Sequence, residues 1–312
     1  MKIYSHALLN IVLWMIPASV FFILPASTAE CHGKTYIDEL GRKVFVQSEP
    51  VRIVSMAPNI TEILFSIGLD DKIVGVTNYC NYPAGALKKK RIGGFINPSL
   101  EMIIALKPDL VICTADGNRK ETVMQLEKIG VPVYVTHSVD MHGFYKTLSD
   151  IGDITGRKRE SRTLISRLTE RHKRVLTLTA PLAKPTVFFQ VGVDPITTVG
   201  NKTFINELIG LAGGRNIYGA EKTRYPRCAA EDVLTKDPAV IVIATMGDRS
   251  NYERARRYWQ QWGNMQAVRN RRIHWIDPDT IDRFSPRVMD ALEELTGIVH
   301  PQLRRHFTRK SP

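Results

Sequence analysis

The side chains of this chain best suited to chemistry are aromatic and polar residues set where apolar runs hand over to loops, and the chemistry they suit is binding. Tyr79 and Tyr82 fall in the loop after Ile73-Val74-Gly75-Val76, and Phe95 in the loop between Gly94 and Pro98. Tyr225 stands just before Pro226, and a polar run carrying Asp279, Arg283 and Arg287 follows the apolar residues 273–276. Open α/β sheets bind ligands at the carboxyl ends of their strands. Aromatic walls with a few fixed polar groups suit a large, flat, partly apolar solute. The plainer alternative is that Tyr79 and Tyr225 only cover sheet ends. Catalytic patterns fail their spacing requirements: there is no Gly-x-Ser-x-Gly and no His-Glu-x-x-His. In Gly200-Asn201-Lys202-Thr203 the Gly-Lys pair of a phosphate loop is split by Asn201. His137 and His142 are five apart, which is not one face of a helix, and no carboxylate cluster accompanies them. The expectation is a protein that is not an enzyme, holds no metal and needs no cofactor. Cys31, Cys80, Cys113 and Cys228 match no zinc or redox spacing, and both a single disulfide and unpaired thiols stay open. A thiol-based metal-handling protein or enzyme using Cys80, Cys113 and Cys228 is the alternative of another class.

Such residues need a scaffold, and a repeat supplies its outline. Residues 99–112 and 229–242 share one unit, in which Glu101 or Glu231 opens a helix and Pro108 or Pro238, seven residues on, stops it. A wholly apolar run then follows, suited to a buried parallel strand. Between the copies, residues 157–178 are polar and proline-free. Leu164, Ile165, Leu168, Val175 and Leu176 recur there at helical spacing, which predicts one apolar stripe on a solvated helix. At about 1.5 Å per residue that helix spans roughly 30 Å. Strand and helix alternate on both sides of it, predicting an α/β protein of two Rossmann-like lobes with parallel sheets, bridged by one long helix. The expected organisation is a signal peptide at 1–29, a hairpin extension at 30–50 and a first lobe at 51–156. A bridging helix at 157–180, a second lobe at 181–300 and a basic tail at 301–312 complete it. In the first lobe Asn59-Ile60-Thr61-Glu62 reads as a helix N-cap with its reciprocal acid, which assigns Glu62 a structural role. No linker is rich in glycine and serine, so lobe motion is expected to be a small hinge.

With 312 residues, 44% of them hydrophobic and 24% charged, the chain can bury one or two substantial cores. Lys2, the apolar run 11–24 and Ser27-Thr28-Ala29 read as a signal peptide cleaved after Ala29. Pro17 and the shortness of the run argue against an uncleaved anchor. Glu30 holds the place before Cys31 where a lipoprotein signal needs a small residue. Export to the periplasm removes nucleic acid and cytosolic nucleotides from the expected partners. The formal net charge of +12 gathers in clusters such as 88–91, 157–162, 269–272 and 304–310. Solvated surface is the ordinary reading of that excess, and attraction to anionic lipid or an acidic ligand the sharper one.

Arg52-Ile53-Val54-Ser55 with Pro58 and Thr61-Glu62, Gly75-Val76 with Tyr79 and Tyr82-Pro83, Leu100-Glu101 with residues 105–111, and Arg283 with Ser285-Pro286-Arg287 form one combined pattern. It resembles the periplasmic solute-binding proteins of ABC importers for vitamin B12, iron siderophores and haem. The likeness runs over residues 52–300 and is nearest to the cobalamin-binding branch. It implies a receptor, monomeric when free, that holds cobalamin or a related corrinoid between its lobes and delivers it to an ABC permease dimer in the inner membrane. A ferric siderophore or haem is the alternative ligand, met by Arg224, Arg227 and Arg283. The likeness further implies ligand contacts at Tyr79, Phe95, Tyr225, Asp279 and Arg283. Glu101 and Glu231 would dock into arginine pockets of the permease. The chain departs from that branch at Thr114 and Val191, where large aromatics can stand.

Overall fold

The computed structural model describes residues 33–245 and 249–307. The expected signal peptide with its cleavage point, Cys31 and the last part of the basic tail lie outside the described residues. The chain enters through a hairpin, β1 (Lys34–Ile37) antiparallel to β2 (Lys43–Val46). Gly41 makes the turn at φ +79°, a conformation glycine adopts without steric cost. Asp38 in that turn is buried and takes the Arg42 guanidinium at 2.6 Å. The Glu39 amide donates to the Val135 carbonyl at 3.1 Å, which ties the hairpin to the first lobe.

The first lobe runs β3 (Ile53–Ser55), α1 (Pro58–Ser66), β4 (Ile73–Val76), β5 (Lys90–Arg91), α2 (Leu100–Ala105), β6 (Leu110–Thr114), α3 (Lys120–Lys128), β7 (Val133–Thr136) and α4 (Met141–Ile154). Its strands form one parallel sheet in the order β5-β4-β3-β6-β7. Every residue of β3, β6 and β7 is buried, as expected of strands covered on both faces, and their sequences run apolar without alternation.

The bridge is α5 (Lys158–Thr179). Gly156, at φ +71°, turns the chain out of α4. Gly152 lets the two helices meet closely, since a Cβ there would lie 2.4 Å from that of Ser161. Ser161, Leu164, Leu168, Val175 and Thr179 form the buried stripe. Ile165 and Leu176, expected on it, stand one position off the 3.6-residue period, so Ile165 is half-buried and Leu176 exposed.

The second lobe follows with β8 (Thr186–Val193), β9 (Ile196–Thr198), α6 (Phe204–Leu211), β10 (Arg215–Asn216), α7 (Ala230–Lys236), β11 (Val240–Ile243), α8 (Arg249–Gln260), α9 (Gln266–Arg269), β12 (Ile273–Trp275), α10 (Pro278–Ile281), α11 (Val288–Val299) and α12 (Arg304–Phe307). Its parallel order is β10-β8-β11-β12, with β9 antiparallel on β8. The repeated unit holds the same place in both lobes. α2 and α7 each end at a left-handed residue, Lys107 at φ 47° and Asp237 at φ 39°, because the proline that follows bars the right-handed helical conformation. The strands that follow, β6 and β11, lie beside the first parallel strand of their own sheet. One hydrophobic core passes through both lobes and the bridge, joining Ile63 and Leu148 to Leu164, Phe189 and Leu292. Phe284 is central to it, 5.6 Å from the Phe144 ring and 4.3 Å from Phe204.

Candidate functional site

A cavity of about 990 Å³ opens between the carboxyl ends of the two sheets. Tyr79 after β4, Phe95 after β5 and Asp116 after β6 line it from the first lobe. Tyr225 ahead of α7, and Asp279 and Arg283 after β12, line it from the second. All five ligand-contact residues expected from the sequence therefore share one cavity. Tyr82 does not line it; its ring lies under the Arg287 guanidinium at 4.1 Å. Thr114 stands in the wall, whereas Val191 packs against the core. Glu101 and Glu231 lie outside the lining, exposed in the first turns of α2 and α7.

Local structure aims these residues. Phe95 lies against Gly117, where a Cβ would come within 2.1 Å of its ring. The buried Asn118 amide donates to the Phe95 carbonyl at 2.7 Å and the Met56 carbonyl at 3.1 Å, and its oxygen accepts from the Thr114 amide at 2.9 Å. One asparagine thus joins the ends of β3 and β6 to the Phe95 loop. The loop carrying Tyr225 is held along β9 by the Thr198 amide, which donates to the Pro226 carbonyl at 3.0 Å. Partial desolvation at the cleft raises the Tyr225 phenol, against the pull of Arg224, although the residue keeps 45% of its surface exposed. Phe204 and Trp275 complete the apolar wall. Sequence reasoning missed both, and also Asn118, because each reads locally as part of a helix, strand or turn.

Polar links also join the two lobes at and beside the cavity. Arg283 donates to Glu62 at 3.3 Å and Asn81 at 2.9 Å and pairs with Asp279, whose other oxygen accepts from Asn81 at 2.6 Å. Arg287 makes two parallel bonds to Glu62 at 2.6 and 2.8 Å. At another point Arg224 reaches Asp116 at 3.1 Å, with His137 3.6 Å from the second Asp116 oxygen. The expected N-cap box is therefore corrected. α1 is capped at Ala57 with no side-chain bond, and Pro58 fills its first turn. Glu62 instead faces two arginines more than two hundred residues away.

Cys80, Cys113 and Cys228 are free. Cys80 contacts Thr61 and Thr77 at 3.2 Å, burial pushes the Cys113 thiol up to about 12, and burial also raises Cys228. In Cys113 and Cys228 burial is the largest influence and it disfavours the thiolate. Among the described residues no group of His, Cys, Asp and Glu is placed to hold a metal.

Asp282 lines the cavity with Oδ1 buried and without a hydrogen-bond partner among the described residues. Burial pushes its carboxyl from 3.8 up to about 7; Arg283 opposes the shift, and Asp279 and Asp277 add to it. The folded state thus keeps a proton that the unfolded chain releases. Its stabilisation is complete below about pH 4 and is lost as the pH rises through 7. Asp282→Asn, which cannot ionise, is expected to be more stable than the parent at pH 8 by on the order of 4 kcal/mol. The difference should vanish near pH 4, as read by urea unfolding at both values; an equal gain at both would sever it from ionisation.

Residues 53–280 match the periplasmic binding protein family. The chain is 30% identical over 274 residues, 86% of its length and 85% of the relative's, to an uncharacterized ABC transporter substrate-binding lipoprotein, YvrC, of Bacillus subtilis (strain 168). It is 31% identical over 256 residues, 80% of its length and 89% of the relative's, to a vitamin B12-binding protein of Vibrio parahaemolyticus. Its fold is similar to the periplasmic heme-binding protein RhuT from Roseiflexus sp. RS-1 in apo form, with a TM-score of 0.73 and 25% identity, covering 80% of this chain and 98% of that one.

Proposed function

The chain belongs to the periplasmic binding protein family, and from that premise we propose that it is the substrate-binding protein of an ABC importer, capturing cobalamin or a related corrinoid between its lobes. The observation that carries this reading is the meeting of Tyr79, Phe95, Tyr225, Asp279 and Arg283 on one cavity of about 990 Å³. That volume is at the upper end for small-molecule sites and suits a large solute held by aromatic faces. The 31% identity to a vitamin B12-binding protein favours the corrinoid. Haem or a ferric siderophore is the second reading, favoured by the likeness to a haem-binding protein and by Arg224 and Arg283 in the wall. Arg227, enlisted for the same ligands, is exposed and does not line the cavity.

The protein would be exported, work as a monomer in the periplasm, and hand its ligand to the permease dimer through Glu101 and Glu231. No helix among the described residues is long and apolar enough to cross a membrane.

Cyanocobalamin, a ferric siderophore and hemin are all coloured, so titration of each into the purified protein followed by absorbance tests the ligand directly. With the ligand that binds, Tyr79→Ala and Phe95→Ala are each expected to weaken affinity by about 1 kcal/mol or more, roughly fivefold, through lost stacking surface. Unchanged affinity in both variants would place the ligand elsewhere.

A further inference from the structure

The cavity wall carries four aspartates, Asp116, Asp277, Asp279 and Asp282, and three arginines, Arg224, Arg249 and Arg283. Each arginine is already engaged. Arg283 is shared among Glu62, Asn81 and Asp279. The Arg249 guanidinium lies over the Trp275 ring at 5.6 Å. Arg224, the most exposed of the pairs, reaches across the cleft from the second lobe to Asp116 of the first at 3.1 Å. The Arg224 and Asp116 side chains are 45% and 32% exposed, so the link contributes little to stability and must be explained otherwise.

We propose that Asp116 is a specificity-determining residue that masks Arg224, so that the cleft takes ligands whose edge is neutral and amide-bearing and refuses ligands whose edge carries carboxylates. An anionic group entering the cleft has to displace Asp116 from the guanidinium and then sit beside the charge it displaced. A neutral carboxamide meets no such repulsion and finds carboxylate acceptors in the wall. Specificity here comes as much from repulsion of the wrong ligand as from attraction of the right one. The inference rests on the reading of the cleft as the ligand site and narrows the ligand's chemistry.

The test is a fluorescence titration of the whole protein with two probes, cyanocobalamin for a neutral amide edge and hemin for a carboxylate edge. Asp116→Asn is expected to raise hemin affinity roughly tenfold or more. The double variant Asp116→Asn/Arg224→Gln should lose that gain, because the unmasked guanidinium is gone. A hemin affinity unmoved by Asp116→Asn, or a gain that survives in the double variant, overturns the mask, whatever cyanocobalamin does. If the gain appears and is lost as expected while the parent fails to bind cyanocobalamin, the mask stands and the corrinoid reading falls.

Discussion

Replacing Glu62 with glutamine is expected to destabilise the protein by about 3–5 kcal/mol. Glu62 belongs to the first lobe, its side chain is 2% exposed, and it faces Arg283 and Arg287 of the second. Those arginines are themselves largely buried, at 15% and 16%. An amide of the same shape preserves packing but leaves Arg283 with Asp279 alone and Arg287 with no carboxylate partner among the described residues, where little water reaches them. The desolvation of Arg287 is offset by the Glu62 carboxylate, so removing that partner costs far more than the intact cluster contributes. An exposed pair such as Lys158 with Asp153 would cost at most about 1 kcal/mol when broken. Heat unfolding should show a midpoint lower by on the order of 10 °C. Adding Arg287→Gln to the variant should recover part of the loss, since one stranded charge leaves with it. A midpoint that does not move would mean that Asp279, which already bonds Arg283 through its carboxylate and Arg287 through its carbonyl, balances both arginines alone.

Reversing both Glu101 and Glu231 to arginine is expected to cut uptake tenfold or more while ligand affinity holds. Both acids open the same helix-strand unit, one in each lobe, and neither lines the cavity. Donation from its own backbone amide, and then from the Ser99 hydroxyl at 2.8 Å, holds the Glu101 carboxyl below the usual range and so favours its charged form. Two exposed charges at matched places suit a two-subunit partner. If that partner presents arginines, the double reversal turns two attractions into two repulsions. Uptake into liposomes bearing the cognate permease is the measurement, paired with ligand titration of the free protein. Transport at the parent rate would end the docking assignment, and a loss of ligand binding in the same variant would assign the two acids to the fold.

Much of the scaffold was legible because it is written in local periods and caps. The apolar repeat, Asp140 accepting from the Gly143 amide, and Thr203 accepting from Asn206 define α4 and α6 within a few residues of chain. The polar helix between the lobes follows from a 3.6-residue stripe and the absence of proline. α8 escaped notice because its arginines outweigh the Tyr252, Ala255 and Trp259 stripe that it buries. The aromatic residues of the cleft could be named from their places after strands, since a parallel sheet gathers such ends on one side.

Which of those residues would hold one another, and which would stand free to meet a ligand, depended on pairs far apart in the chain. Glu62 next to Asn59 looks like a capping acid, and only the closing of the second lobe over the first brings Arg283 and Arg287 to it. Asp116 and Arg224 meet across the cleft, Asn118 reaches Met56 and Phe95, and Asp282 comes to line the cavity with one carboxylate oxygen buried. A residue's type sets its local conformational preference and its capacity to carry charge or donate a hydrogen bond. Its dielectric surroundings and its partner are set by chain that packs against it from elsewhere, and only the tertiary structure supplies those.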